Sequence, residues 1–501
     1  MQLPERTPKL LELEDYLLLT AVLLLPWAFG GIDVSAYRTA SLLLVGAACT
    51  AFWKRGWRGW GLGSGELWLL PAFLLVGWAA SQIVPLPPGA VRVLSPEAHR
   101  IYASVFPGYD GGDSGDPLRA LEAQALNRVP EARGVALVED PGTELVLQAP
   151  DCFSRSWRTL SLEPGATQER LLWYLALLLG FLVLRARLAF QDVRRVYRWG
   201  LFLSFGALAL FGLVQRQWWT GEIYWVRTVL VPVFPFGPYF NPTHFGGAME
   251  LAVPALVGHA WARLRYAGRA ALYQPGFGIS AVAGVVCLVA GLATASKLVA
   301  IMLPAGLIVL GIFGARTRRT RVVILAVSLF VLAAVVLLLF SPSTPVGQRF
   351  EEYAGRSEGA LLEGRLIVWR ASLDMIGDFP LTGAGFGSFR HIFARYMPAG
   401  ESMRWAHAHN DYLELLLDGG VVALGLLGWL VWGYGTRVAR RLHGAAPVSP
   451  GRIGLVVGLV TLSIHAFLDF NHQIPANALL FVATCALLLP ARRVHDPEGT
   501  T

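Results

Sequence analysis

Charge and cysteine are both scarce in this chain. Charged residues make up 15% of its 501 positions, against 54% that are hydrophobic. That balance excludes an ordinary water-solvated globule and leaves a bilayer as the solvent. The four cysteines (Cys49, Cys152, Cys287 and Cys485) have no metal-site spacing, and three of them lie in apolar runs, which excludes a disulfide framework. No small-residue cleavage site follows the first apolar run, and the acidic Leu11–Asp15 precedes it, so that run reads as a retained anchor. The two halves show no internal repeat, which argues against a carrier built from inverted repeats.

What is present is apolar helix. About twelve runs approach the length a bilayer demands, near 16–32, 39–53, 67–83, 171–184, 199–218, 245–261, 277–293, 298–314, 322–340, 411–432, 453–470 and 475–489. Seventeen tryptophans suit many interfacial ends. The expected organisation is N-terminal spans over 1–84, a polar insertion over 85–168, central spans over 169–340, a second long loop over 341–410, and C-terminal spans over 411–501.

The basic residues set an orientation. Lys54, Arg55 and Arg58 follow the second run, and Arg185, Arg187, Arg194, Arg195 and Arg198 the fourth. Arg263, Arg265 and Arg269, then Arg316, Arg318, Arg319 and Arg321, then Arg437, Arg440 and Arg441 repeat the pattern, and Arg492 and Arg493 close it. Short loops after odd-numbered runs hold only Arg38, Arg216, Arg227 and Lys297. The positive-inside rule puts both termini in the cytoplasm and both long loops outside. The formal charge of +8 is therefore topogenic, spread over short loops rather than gathered in a nucleic-acid stripe.

In the first long loop, 122–128 reads as a short helix, 135–140 and 144–149 as a weak hairpin, and Thr167 as an N-cap. No catalytic cluster is visible there; a recognition or lid role and a plain insertion are both open. In the second, Leu366, Trp369, Leu373 and Ile376 recur at helical spacing, so 364–378 is expected to be an amphipathic helix carrying Arg365 and Arg370. Pro380–Phe389 (PLTGAGFGSF) contains glycines in alternation, but no buried strand precedes it. A tight turn fits better than a nucleotide loop.

His407, His409, Asn410 and Asp411 come next. Asp411 with Glu414 reads as an N-cap pair opening the tenth span. His409 then stands at the positive end of a long helix, which disfavours a further positive charge on it and attracts anions. No carboxylate-rich or cysteine set accompanies the two histidines, so no metal is assigned. Lys297 interrupts an apolar stretch at the same level; it either snorkels or meets an anion. His465 and Asp469 share a helix face at i, i+4. Asn241 and His244 open the sixth span, His244 either capping backbone or touching substrate. All these polar groups fall at one level, on one side.

These residues resemble the central signature of the bacterial O-antigen ligase and polymerase family. The resemblance lies in Arg365, Leu366 and Trp369, then Pro380, Leu381, Gly383, Gly385, Gly387 and Phe389, then His409, Asn410, Leu413, Gly419 and Gly420. Phe240–Gly247, His465–Asn477 and the 84–96 segment with its later WRTLSLEPGAT are similar to flanking features. The resemblance implies an all-α, GT-C-like polytopic fold of the inner membrane, with its active site in the periplasm. It implies a donor glycan on undecaprenyl pyrophosphate, a lipid A-core, glycan or protein acceptor, and no cofactor or nucleic acid. Arg365 would neutralise the pyrophosphate and His409 would orient or deprotonate the acceptor hydroxyl. Lys297, Arg370, Arg227, His244, Asn410 and Asp469 are the candidate substrate contacts. Where many relatives carry Ser-Arg-Gly, this chain has Ser296-Lys297-Leu298, which keeps the charge without the fork. A solute (bicarbonate-like) transporter and a non-catalytic polysaccharide-assembly subunit are the competing readings.

Overall fold

The computed structural model describes residues 11–62, 65–106, 109, 157–229, 235–315, 317–319, 321–322, 326, 359–398, 405–443 and 448–491. Within them the chain is almost entirely helical. The bundle comprises α1 (Leu13–Leu24), α2 (Val34–Arg55) and α3 (Leu70–Ser81), followed by the short α4 (Pro88–Leu94) and α5 (Pro96–Val105). It continues with α6 (Pro164–Arg187), α7 (Gln191–Gln217), α8 (Pro242–Ala267), α9 (Pro275–Ala293) and α10 (Lys297–Gly314). Then come α11 (Gly359–Asp378), the single turn α12 (Phe389–Ile392), α13 (Asp411–Leu442), α14 (Pro450–His465) and α15 (Pro475–Leu488). The two-residue strands Glu222–Ile223 and Arg227–Thr228 pair in the aromatic loop after α7.

Proline starts many of these helices. Pro88, Pro96, Pro164, Pro242, Pro275, Pro450 and Pro475 sit in first turns, where the missing N–H costs nothing and the fixed φ suits the helix. Val34–Trp60, Gln191–Gln217, Pro275–Ala293, Lys297–Gly314 and Asp411–Leu442 are long and apolar enough to cross a membrane. Large apolar side chains such as Leu42, Val282, Phe313 and Trp432 point outward from them. The chain is a membrane-embedded protein. Four expected spans form shorter helices: α1 and α3 have 12 residues each, α14 has 16 and α15 has 14. After α1 the chain turns through Pro26 and through Gly30 and Gly31, both at positive φ. The run at 322–340 lies almost wholly outside the described residues, as do the helix at 122–128 and the hairpin over 135–149.

Above the bundle sits a second core that the sequence did not announce. Val91, Ala98 and Tyr102 from α4 and α5 pack with Val368 and Met375 of α11 and with Phe379, Phe389 and Phe393. The two long intervals thus bury each other's apolar faces. Thr167 does not cap α6, which begins at Pro164; its buried hydroxyl meets Ser161 and donates to the Phe386 carbonyl.

At the opposite end a cluster of basic residues is neutralised in place. Arg187, only 2% exposed, holds Asp15 through Nε and Nη2 (3.0 and 2.6 Å) and Glu12 through Nη1 (2.7 Å), while Arg55 and Lys54 meet the buried Glu14. Removing one partner of such a cluster strands the others. Arg187→Leu is therefore expected to lose about 3–5 kcal/mol of stability. Thermal unfolding in detergent would read this, and an unchanged midpoint would deny the cluster its structural role.

Candidate functional site

The site grows from the junction of α13 with the second core above the bundle. Asn410, not Asp411, is the N-cap: its Oδ1 accepts from the N–H groups of Tyr412 and Leu413 at 3.1 and 3.0 Å. Asp411 is instead tied to His472, accepting from its backbone N–H and facing its Nδ1. Glu414 reaches back to accept from the Ala408 N–H at 2.9 Å and lies 2.8 Å from His407 Nδ1. These bonds over-determine the turn before α13. There His409 adopts φ 50, a left-handed conformation that non-glycine residues reach only at a cost.

His409 faces Asp469. Its Nδ1 lies 3.5 Å from Asp469 Oδ1, and His244 Nε2 lies 3.6 Å from the same oxygen. His465 Nε2 lies 3.8 Å from the other oxygen. The i, i+4 pair expected within one helix is therefore built across a turn, because α14 ends at His465. Burial alone would push the Asp469 carboxyl up. The three imidazoles gathered around it outweigh that and hold Asp469 well below the usual carboxylate range. Phe470 fills the centre, its ring 4.5 Å from His244, 4.2 Å from His407 and 4.9 Å from His409 between centroids.

His244 is not a cap. Asn241 caps α8 through the Thr243 N–H, which leaves the His244 ring for Asp469, and Asn477 donates to the His244 carbonyl. Sequence reasoning missed Glu250, six residues beyond His244 on α8. It is fully buried, 2.9 Å from His465 Nδ1. A lone carboxylate inside an apolar run was the available signal.

The helix α11, which carries Arg365, docks on the segment that carries His409. Trp369 Nε1 donates to the Ala408 carbonyl at 2.9 Å. A Cβ on Gly364 would lie 2.9 Å from the Trp405 ring, and that ring packs edge-on against His409 at 5.5 Å. Arg365 follows Gly364 and lies one turn before Trp369, so its position on α11 falls between two points covered by segment 405–409. Arg370 lies about 140° further round the helix from Arg365 and is exposed. It does not share that face. Lys297 opens α10 beside the start of α8, where Val299 packs onto Gly246. Arg227 is engaged elsewhere: it grips Asp33 with both Nη atoms, at 2.5 and 3.1 Å, between the rings of Phe29 and Phe240.

The glycine turn braces this junction and leaves no nucleotide cradle. Gly383, Gly385 and Gly387 all have positive φ. The N–H groups of Gly387 and Phe389 donate to Asp418, and that of Phe386 donates to Gln82. In α13 the helix breaks at Gly420 (φ 69), where a Cβ would sit 2.0 Å from the Leu381 carbonyl oxygen. Gly420→Ala is expected to abolish stable folding rather than tune activity, since clash and backbone strain add. A monodisperse, thermally unaltered variant would contradict this packing.

Residues 282–430 match the family described as O-antigen ligase. They include Lys297, Arg365, His409 and Asn410, and leave His244 and Asp469 outside. No curated protein matches the chain.

Proposed function

We propose that this chain, which belongs through residues 282–430 to the O-antigen ligase family, transfers a glycan from a polyprenyl-pyrophosphate carrier to a hydroxyl acceptor. O-antigen-ligase-type glycan transfer is the general activity the family suggests; the donor, the residues and the side of the membrane are our reading. The observation that carries it is the docking of α11 on segment 405–409, which gives Arg365 and His409 a common neighbourhood.

In this reading His409 Nδ1 is turned to Asp469, so Nε2 is the nitrogen left to accept the proton of the acceptor hydroxyl. The oxygen attacks the anomeric carbon and the bond to the pyrophosphate oxygen breaks. The leaving group departs with the negative charge, which the Arg365 guanidinium stabilises with its two-pronged geometry. Lys297 adds a second cation at the same level, and the proton ends on His409, where the Asp469 carboxylate balances it. Arg370, exposed, and Arg227, engaged by Asp33, have weaker claims as substrate contacts.

The sequence-derived topology completes the proposal: about twelve spans, both termini cytoplasmic, and the site on the periplasmic face of a bacterial inner membrane. The test is transfer by the purified chain, in vesicles, from an undecaprenyl-pyrophosphate oligosaccharide to a lipid A-core, glycan or protein acceptor. Product formed only with the lipid-linked donor supports the reading. Solute uptake without transfer would replace it by a carrier.

A further inference from the structure

A second cluster of cations lies at the other end of the bundle, where α7, α8 and α9 meet. Arg195 and Arg198 stand one turn apart on α7, and Arg263 comes from α8. The charges of Arg195 and Arg263 both bear on Arg198, and those of Arg198 and Arg263 bear on His259. Buried arginines elsewhere at this end have carboxylates: Arg185 meets Glu66 and Arg187 meets Asp15. Arg198 and Arg263, both half-buried, have no carboxylate in ion-pair range among the described residues. The Nε atom of each is buried, with no hydrogen-bond partner among the described residues.

Geometry adds a shaped corner. Above Gly276, at the start of α9, the Trp199 ring and Arg263 Nη2 converge: a Cβ there would lie 3.2 Å from each. Trp199 is fixed edge-on against Phe202 and His259, and His259 Nδ1 lies 2.9 Å from the Ser280 hydroxyl. Along the adjoining seam, Gly206 packs closely on Ala283, and Leu203, Ile279 and Val282 are 55%, 39% and 64% exposed.

We propose that this corner binds the phosphodiester headgroup of an anionic phospholipid, with the acyl chains lying along the exposed apolar side chains of α7 and α9. Like charges gathered beside a low-dielectric slab repel one another, and an anion turns that repulsion into attraction. Guanidinium suits phosphate through paired N–H donors. Tryptophan favours the headgroup level, and basic pockets between membrane helices take such headgroups. A free phosphate would satisfy the arginines but would leave the apolar seam unused, so a lipid is the occupant.

The experiment is native mass spectrometry of the full chain in detergent, titrated with phosphatidylglycerol, with phosphatidylcholine, or with inorganic phosphate. Arg198→Gln/Arg263→Gln is compared with wild type and with the equally charged control Arg318→Gln/Arg319→Gln. The wild type and the control are expected to retain phosphatidylglycerol over phosphatidylcholine, and the α7/α8 variant to bind it about tenfold more weakly. Equal retention of both lipids, an equal loss in the control, or binding of phosphate without the lipid preference would overturn the proposal. Thermal unfolding in phosphatidylcholine micelles separates a structural role. With the repulsion relieved, the variant is expected to be at least as stable as wild type there; a lower midpoint would make these arginines scaffold instead. None of these readouts requires glycan transfer, so the outcome is independent of the proposed activity.

Discussion

Arg365→Ala is expected to slow glycan transfer by about 10²–10³-fold, the usual consequence of losing one fixed transition-state stabiliser. The protein should still insert and unfold normally. The reason is positional: α11 is anchored by Gly364 against Trp405 and by the Trp369 bond to Ala408, and neither anchor involves the guanidinium. Negative charge grows on the departing pyrophosphate, so the loss should fall on kcat more than on donor KM. Arg365→Lys should recover only part of the rate, because an ammonium keeps the charge without the fork. Initial rates with the lipid-linked donor, alongside the unfolding midpoint, check both statements. A rate near wild type would remove Arg365 from the chemistry, and a matching fall in stability would make it structural.

Replacing His409 should cost about 10²–10⁴-fold in rate, the range a positioned general base supplies. The choice of substitution matters, because position 409 holds φ 50. Alanine there would mix backbone strain with the loss of the ring, whereas asparagine tolerates the left-handed region. His409→Asn is therefore the cleaner variant. Asp469→Asn should act in the same direction but less severely, since Asp469 works through the His409 ring. It also faces His244 and His465, so its effect on stability must be measured in parallel. If His409→Asn turned over at the wild-type rate, the base would have to be another group.

Much of this site was legible as a list of residues, and little of it as an arrangement. The helix carrying Arg365 was expected from the spacing of Leu366, Trp369, Leu373 and Ile376, and it forms as Gly359–Asp378. Periodicity reports local structure well. The start of α13 at Asp411 matches the expected run, but its cap was assigned to Asp411 rather than Asn410, because the two are equally good caps by type. The tie between Asp411 and His472 decides the frame, and that contact joins α13 to the turn between α14 and α15. The pairing of His465 with Asp469 was legible from their i, i+4 spacing, but the convergence of His244 and His409 on the same carboxylate was not, because these residues sit in different stretches of chain. The second core above the bundle was hidden as well. Val91 and Tyr102 read as part of an insertion with no evident purpose, yet they complete the apolar face of α11. Arg370 was grouped with Arg365 because both lie on the predicted helix, although helical geometry turns the two apart.

The most direct test is a cryo-electron microscopy structure of the full chain with undecaprenyl pyrophosphate bound. The pyrophosphate should lie in hydrogen-bond contact with the Arg365 guanidinium, with His409 Nε2 open to the space where the anomeric carbon of a donor would stand. Density for the pyrophosphate at the arginine-rich far end of the bundle, or packed side chains filling the gap between Arg365 and His409, would contradict it.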